Sequence, residues 1–450
     1  MTIVTEISEI LKSQEHLSAV EAALIHLMSD YLTDQVAYCL ESLDKELIAS
    51  YCQDGWSIDR LEERQVTFFF GTVTFKRRRL RKAGEKSFLP LDEALGLEKR
   101  QRYSPLFKEK VGQLVTGMTY RQASKSLELL TNQSMSHQSL HTLAQSIAEK
   151  IHANQTPEES PLKCPKMLYI EADGVWVGSQ EKHKHLEFKR GFIHEGVDRS
   201  GKRPCLIHPV YFGCFGTSKD LFNQMSDYLQ SHYDLRQTII IANSDGGSGY
   251  EADKFEEILG RYKSFHYCLD SYHVMRYVTG KLGFDKSLQT ALRQAIKEYD
   301  KSTVETLLDT AESYLEAPEK LEKLLEVRAY LSRNWAAIKP LNLRGLGVSD
   351  GVGICESGHR FYTNRLKRQG RNWTKKGAEN MATLLTVQRN GDFEALYRQA
   401  APHHEFSPEI SISASKFLKK VPHQEHTIPR ANIPLNGVSS SPIGHLRKWI

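Results

Sequence analysis

The chain has 450 residues, 40% of them hydrophobic and 26% charged, with a formal net charge of +5. That length exceeds one ordinary core and predicts about three units at ~150 residues each, and the composition excludes wholesale disorder. No apolar run approaches the roughly 20 residues that span a bilayer, and Glu6, Glu9 and Glu15 stand where a secretory signal would be basic and then apolar, so the expectation is an intracellular protein without a membrane segment. The seven cysteines are scattered with no C-x-x-C pair, which predicts reduced thiols.

Residues 5–53 carry apolar positions at helical spacing and predict two amphipathic helices. From Gln65 the pattern turns β-branched and aromatic around Gly71, the signature of a hairpin that runs into the basic residues Lys76, Arg77, Arg78, Arg79, Arg81 and Lys82. A ribbon bearing arginines can follow a phosphate backbone. Three helices are expected next, over 105–116, 120–130 and 137–151, with Thr119 and Ser136 as N-caps of the second and third. The spacing suits a helix-turn-helix whose last helix would offer His137, Gln138, Ser139 and His141 to the major groove while Leu140, Leu143 and Ile147 face inward.

After a Pro- and Glu-rich linker at 156–165, strands are predicted over 167–177, 186–194 and 204–212, then a helix 219–233, a strand 238–242, a helix 250–259 and a strand 264–269. Three strands, helix, strand, helix, strand is the order of a ribonuclease H-like core. Residues 274–340 read as a helical insertion broken at Pro318, and the tail from about 401 as irregular. The predicted organisation is therefore multidomain α/β. It comprises an N-terminal helical and β-ribbon region (1–100), a helix-turn-helix region (101–155), a catalytic core (165–273 and 345–395), an all-α insertion (274–344) and a tail (396–450).

Two strand ends carry Asp-Gly: Asp173 within Glu171-Ala172-Asp173-Gly174, and Asp245 before Gly246-Gly247. Glycine there lets the chain turn and a bulky ligand approach. A third acid, Glu356, starts a predicted helix that continues into the basic residues Arg360, Arg365, Lys367, Arg368, Arg371, Lys375 and Lys376. Carboxylates that converge from separate strand ends are the usual means of holding Mg²⁺ or Mn²⁺ in pairs for phosphodiester chemistry. Asp270, at the end of another predicted strand, is an auxiliary candidate that could assist a metal, orient His273 or cap a helix.

Four separated stretches occur in order: Leu91-Asp92-Glu93-Ala94-Leu95-Gly96-Leu97, Ser136-His137-Gln138, Glu171-Ala172-Asp173-Gly174, and Trp373 to Ala382 with its Thr-Lys-Lys-Gly-Ala-Glu-Asn-Met interior. Over roughly residues 60–390 the chain resembles bacterial insertion-sequence transposases of the Lre-two type, distant relatives of Mutator-like enzymes. The resemblance implies a DDE transposase with a helical insertion before its final glutamate. It maps the three acids onto Asp173, Asp245 and Glu356, two Mg²⁺ or Mn²⁺ ions onto those acids, and terminal inverted repeats and target DNA onto the partners of a homo-oligomer. Phosphate or base contacts are expected from Lys76, Arg77, Arg78, Arg79, His137, Gln138, Arg365, Arg368, Arg371, Lys375 and Lys376. A structure-specific nuclease without strand transfer, or a non-catalytic DNA-binding regulator, are the alternative readings. Gly246-Gly247-Ser248-Gly249-Tyr250 departs from the tryptophan-containing stretch expected after the second acid.

Overall fold

The computed structural model describes residues 3–131, 133–153, 161–348, 351–368 and 370–399, apart from the side chains of residues 355–357 and 359. The linker positions 154–160 and the tail from 400 lie outside the described residues. Helices α1 (Ile3–Ser13) and α2 (Leu17–Gln53) are followed by the antiparallel hairpin β1 (Ser57–Phe68) and β2 (Gly71–Arg81). The hairpin strands are longer than the sequence pattern predicts. Their exposed positions carry charge in place of apolar residues, while Val66, Val73, Phe75 and Leu80 keep the buried face in register.

The basic run on β2 is drawn inward. Arg77 is buried and pairs through Nε with Asp92 at 2.8 Å, Arg64 reaches the same carboxylate at 2.9 Å, and Asp92 sits on the short helix α3 (Pro90–Ala94). Burial pushes the Asp92 carboxyl up even with two guanidinium neighbours. Arg78 holds the fully buried Asp44 of α2 at 2.7 Å, and Arg79 donates to Glu62 at 2.8 Å, which holds Glu62 down at about 2. The expectation that Arg77, Arg78 and Arg79 face phosphate is thus corrected: intramolecular carboxylates take all three, and of the four β2 candidates only Lys76 is exposed.

Helices α4 (Pro105–Gly117), α5 (Tyr120–Thr131) and α6 (His137–Ala153) appear where the pattern predicts them. Thr119 accepts from Gln122 N and Ser136 from Ser139 N, the expected caps. Leu140, Ala144, Ile147 and Ile151 of α6 are buried together with Phe107 and Val111 of α4.

The sheet is mixed. Strands β3 (Met167–Ser179) and β4 (His185–His194) are antiparallel. A two-residue ladder joins β5 (Val197–Asp198) to β6 (Cys205–Leu206), and β7 (Val210–Cys214) pairs antiparallel with β4. The single strand expected over 204–212 is split at His208, which has φ 46°, and at Pro209, which cannot donate to a ladder. Helix α7 (Ser218–His232) leads to β8 (Ile239–Ser244), the one-turn helix α8 (Ala252–Glu256) and β9 (Ser264–Leu269). The spatial order is β7-β4-β3-β8-β9, with β8 parallel to β3 and β9 parallel to β8.

The insertion is all helical: α9 (Ser271–Lys281), α10 (Lys286–Glu298), α11 (Lys301–Tyr314) and α12 (Pro318–Ile338), with Pro318 opening α12 as sequence suggests. The chain returns through α13 (Ile354–Leu366), β10 (Asn372–Trp373), which pairs parallel with β3, then α14 (Lys375–Asn390) and α15 (Phe393–Gln399). One face of β3 and β4, through Val175, Val177 and Phe188, shares a core with α4–α6 and α13–α15. The opposite face packs on α7 and α8. Helices α4–α6 are therefore built into the same core as the sheet and do not stand apart as a unit at 101–155. Among the described residues no helix is long and apolar enough to cross a membrane.

Removing the carboxylate shared by Arg64 and Arg77 tests this hairpin. Asp92→Ala leaves two buried guanidiniums without their counter-ion and lowers stability by about 3–5 kcal/mol. In urea, a midpoint shift worth less than about 1 kcal/mol would show that the pair is not holding the ribbon.

Candidate functional site

Three of the acids singled out in the sequence, Asp173, Asp245 and Asp270, come side by side where the parallel strands stop pairing. In the parallel pair of β3 and β8, Glu171 stands opposite Asn243, so continuing the register by two residues sets Asp173 beside Asp245. Ser244 stands opposite Leu269, so Asp270 follows next to Asp245, and the Asp270 N–H donates to the Ser244 carbonyl at 2.8 Å. Neighbouring strands run ~4.8 Å apart, which brings the three residues into one row. A glycine turn follows Asp245 as expected, with Gly246 at φ 70° and the Gly247 N–H donating to Asp245 Oδ1 at 2.8 Å. At Asp173 the expectation is corrected, because β3 runs on through Gly174, whose N–H donates to Asp173 Oδ1 at 2.7 Å.

The auxiliary pair takes two roles. Asp270 caps α9 by accepting from Tyr272 N at 2.8 Å, and His273 Nδ1 lies 3.7 Å from Asp245 Oδ2. Tyr330 of α12 is pushed up to about 12 by burial, with Asp245 and Asp270 among the charges that add to the shift, so the insertion borders the same site. Burial likewise holds the Tyr250 hydroxyl far above its ordinary range, next to the charges of Glu187, Asp173 and Asp245.

Helix α13 docks against this end of the sheet. The buried Glu171, two residues before Asp173 on the same face, accepts from Ile354 N at 3.3 Å. Gly353, with φ 73°, begins the helix, and a Cβ there would lie 3.9 Å from Asp270 Oδ1. One turn on, Arg389 Nη1 donates to the Gly358 carbonyl at 2.8 Å, and a Cβ at Gly358 would lie 3.0 Å from Arg389 Nη2 and 3.5 Å from Arg190 Nη1. Arg190 is buried and stands opposite Asp173 in the β3–β4 register. Glu356 occupies the first turn of α13, and its side chain lies outside the described residues. Among the described residues no group of three His, Cys, Asp or Glu side chains is placed to hold a metal.

Sequence reasoning misses Glu171, Arg190 and His194. A signal exists for Glu171: it is an acid sharing a strand face with Asp173 in an otherwise apolar run. His194 is fully buried, its ring 4.7 Å from Tyr169 and 5.5 Å from Phe192. Gly196 N–H donates to its Nδ1, which assigns the proton to Nε2, and that N–H donates to the Gly351 carbonyl at 3.1 Å. The loop entering α13 is thereby tied to β4.

The basic candidates separate into two groups. Arg365 is buried, donates from Nε to Val115 O at 2.8 Å and lies over the rings of Tyr120 (4.9 Å) and Trp373 (5.1 Å). Burial lowers it to about 10. Arg371 folds back onto the carbonyls of Asn364 and Arg365. Both are corrections, because these guanidiniums hold α13 to its neighbours and are not displayed. Arg368 is exposed, as are Lys375 and Lys376, which reach Glu379 and Glu149 respectively. His137 and Gln138 are exposed at the start of α6.

The sequence profile of the Uncharacterised protein family (UPF0236) matches residues 11–399. The chain belongs to this family. A UPF0236 protein of Streptococcus gallolyticus, described as lying in the vanSb 3′ region, is 68% identical over all 450 residues and the whole of both chains. A UPF0236 protein of Caldanaerobacter subterraneus subsp. tengcongensis is 23% identical over 393 residues, covering 85% of this chain and 80% of its own, and its designation joins eleven locus names of that strain. A crystal structure of NurA with manganese matches with a TM-score of 0.09 and 12% identity over 59% of this chain and 66% of that one, a likeness too slight to carry an argument.

Two outcomes follow for this UPF0236 chain. Burial holds the His194 imidazole at about 4 against 6.5 when free. The unfolded chain therefore takes up a proton as pH falls through 6.5 while the folded protein resists until about 4, so stability is lost across that window, by up to about 3 kcal/mol, and is unaffected above it. His194→Phe keeps the ring stack and flattens the pH dependence of the urea midpoint between 6.5 and 4; an unchanged slope would exclude His194 as its source. Arg365→Met removes the bond to the Val115 carbonyl and the charge over two rings and lowers thermal stability by several degrees, whereas an unchanged melting temperature would show that Arg365 does not hold α13 to its neighbours.

Proposed function

We propose that the chain is a DNA transposase of the DDE type, with Asp173, Asp245 and Glu356 as its catalytic acids. The observation that carries the reading is that Asp173, just past the point where β3 leaves its pairing with β8, stands beside Asp245, just past the end of β8, with the first turn of α13, which bears Glu356, docked against the same region. The strand order and directions, antiparallel on the β4 side of β3 and parallel on the β8 side, support a ribonuclease H-like core. A relative whose designation joins eleven locus names in one strain fits an element that copies itself through a genome.

The donor set fits hard divalent cations, since the acids brought together offer carboxylate oxygens. Asp173, Asp245 and Glu356 would hold Mg²⁺ or Mn²⁺, which when bound supplies an activated nucleophile and neutralises charge at phosphorus. The chain's own groups prepare that end of the sheet. Backbone N–H groups of Gly174 and Gly247 fix one oxygen each of Asp173 and Asp245, and His273 faces Asp245. Exposed Arg368, Lys375 and Lys376 beyond α13 supply positive charge for a DNA backbone, and the exposed first turn of α6 offers His137 and Gln138 to bases, as a helix-turn-helix would.

The experiment is strand cleavage of a duplex carrying the element's terminal repeat, with purified protein and Mg²⁺. Asp173→Asn retains duplex binding and loses cleavage on the order of 10³-fold, the scale on which removing one electrostatic stabiliser acts. Full cleavage by that variant would remove Asp173 from the chemistry. Cleavage by the unmodified protein with no joined product would replace transposition with a nuclease function.

A further inference from the structure

Of the tryptophans in the described residues, Trp176 alone is exposed, at 57%. It lies on β3 three residues beyond Asp173, a distance of ~10 Å along the strand. Side chains alternate, so Trp176 shares a face with Gly174 and Gly178, which leave its ring without a same-strand neighbour on either side. The space above each glycine is taken by a polar group instead. The Glu187 carboxylate lies over Gly174, and the Asn372 amide oxygen lies over Gly178. Glu187 stands opposite Trp176 on β4 and is ion-paired to Lys189.

The edge of β3 is open at this point. Pairing with β8 ends at Glu171 and pairing with β10 begins at Gly178 on the same side, because β4 occupies the other. A nucleic-acid strand laid over this gap reaches the acid on one face and the indole on the other. We propose that Trp176 is a stacking platform for an unpaired base of the DNA strand held at the carboxylate site, with Glu187 and Asn372 at the edges of that base. The proposal rests on the DNA chemistry argued above. Indole is a large, sequence-tolerant stacking surface, and a carboxylate and an amide are groups that read exocyclic amines and ring nitrogens. Among the described residues no aromatic ring or cation covers Trp176.

The test uses the full-length protein in EDTA, which prevents cutting, and a fluorescein-labelled single strand of about 16 nucleotides, free or annealed to its complement. Trp176→Ala weakens single-strand binding by about five- to a hundredfold, Trp176→Phe stays within about threefold of the unmodified protein, and duplex binding is equal in all three. Single-strand binding by Trp176→Ala equal to that of the unmodified protein overturns the platform, as does an equal loss in Trp176→Phe. With Asp173→Asn cleavage measured in parallel, the two readings separate. A dead Asp173 variant with an indifferent Trp176 sinks the platform alone, whereas an active Asp173 variant with a Trp176-dependent single-strand affinity sinks the chemistry and leaves the platform.

Discussion

Like charges set at one end of a sheet repel, and the arrangement of this protein depends on tolerating that repulsion. Two unit charges 4 Å apart interact by about 4 kcal/mol at an effective dielectric of 20. Here Asp173, Asp245 and Asp270 stand side by side where three adjacent parallel strands stop pairing, with Glu171 one step behind on β3. Each of the four accepts a backbone N–H, from Gly174, Gly247, Tyr272 and Ile354 respectively. Backbone donors stabilise a carboxylate without neutralising it. Each acid therefore keeps a fixed direction without an ion-pair partner being needed to hold it.

The opposite solution governs the N-terminal region. There, Arg64, Arg77, Arg78 and Arg79 meet Asp92, Asp44 and Glu62 directly, and the charges cancel inside the fold. In sequence, both basic runs look alike, since a count of arginines carries no information about which acids reach them. The Leu91–Leu97 stretch that contributes to the family resemblance acts structurally, because it delivers Asp92 between two guanidiniums. Arg365 extends the contrast, because its planar cation is sandwiched by Tyr120 and Trp373, whose ring spacing no local pattern announces.

Periodicity makes the helices of 105–153 and the strands and helices from 167 to 338 legible, because each element buries one face and its apolar spacing follows from that. The caps at Thr119 and Ser136 are legible for the same local reason. Pro209 splits a predicted strand that the apolar count joins, since a missing donor outweighs hydrophobicity in a ladder. Asp173 and Asp245 are visible through the glycines after them. Glu171, Arg190 and His194 are not, because their roles arise from partners over a hundred positions away, or across a strand pair whose register sequence does not state. The packing of α4–α6 into the sheet's own core is hidden likewise, since an amphipathic helix declares that it has a partner and not which one.

The insertion changes what secures the third acid. After Asp270 the chain leaves the sheet for α9–α12 before α13 returns, so chain continuity gives α13 no positional constraint. Position must come from contacts at the point of return. Three are present: Nε2–H of His194 to the Gly351 carbonyl, Glu171 to the Ile354 N–H, and the close approach of Gly358 to Arg190 and Arg389. All three bridge α13 or the loop before it to the sheet or to α14, and the first two originate on β4 and β3, the strand that carries Asp173 and its antiparallel neighbour. The strand that carries the first acid thus also fixes the helix that carries the last, while the length and packing of the helices between them can vary without moving either.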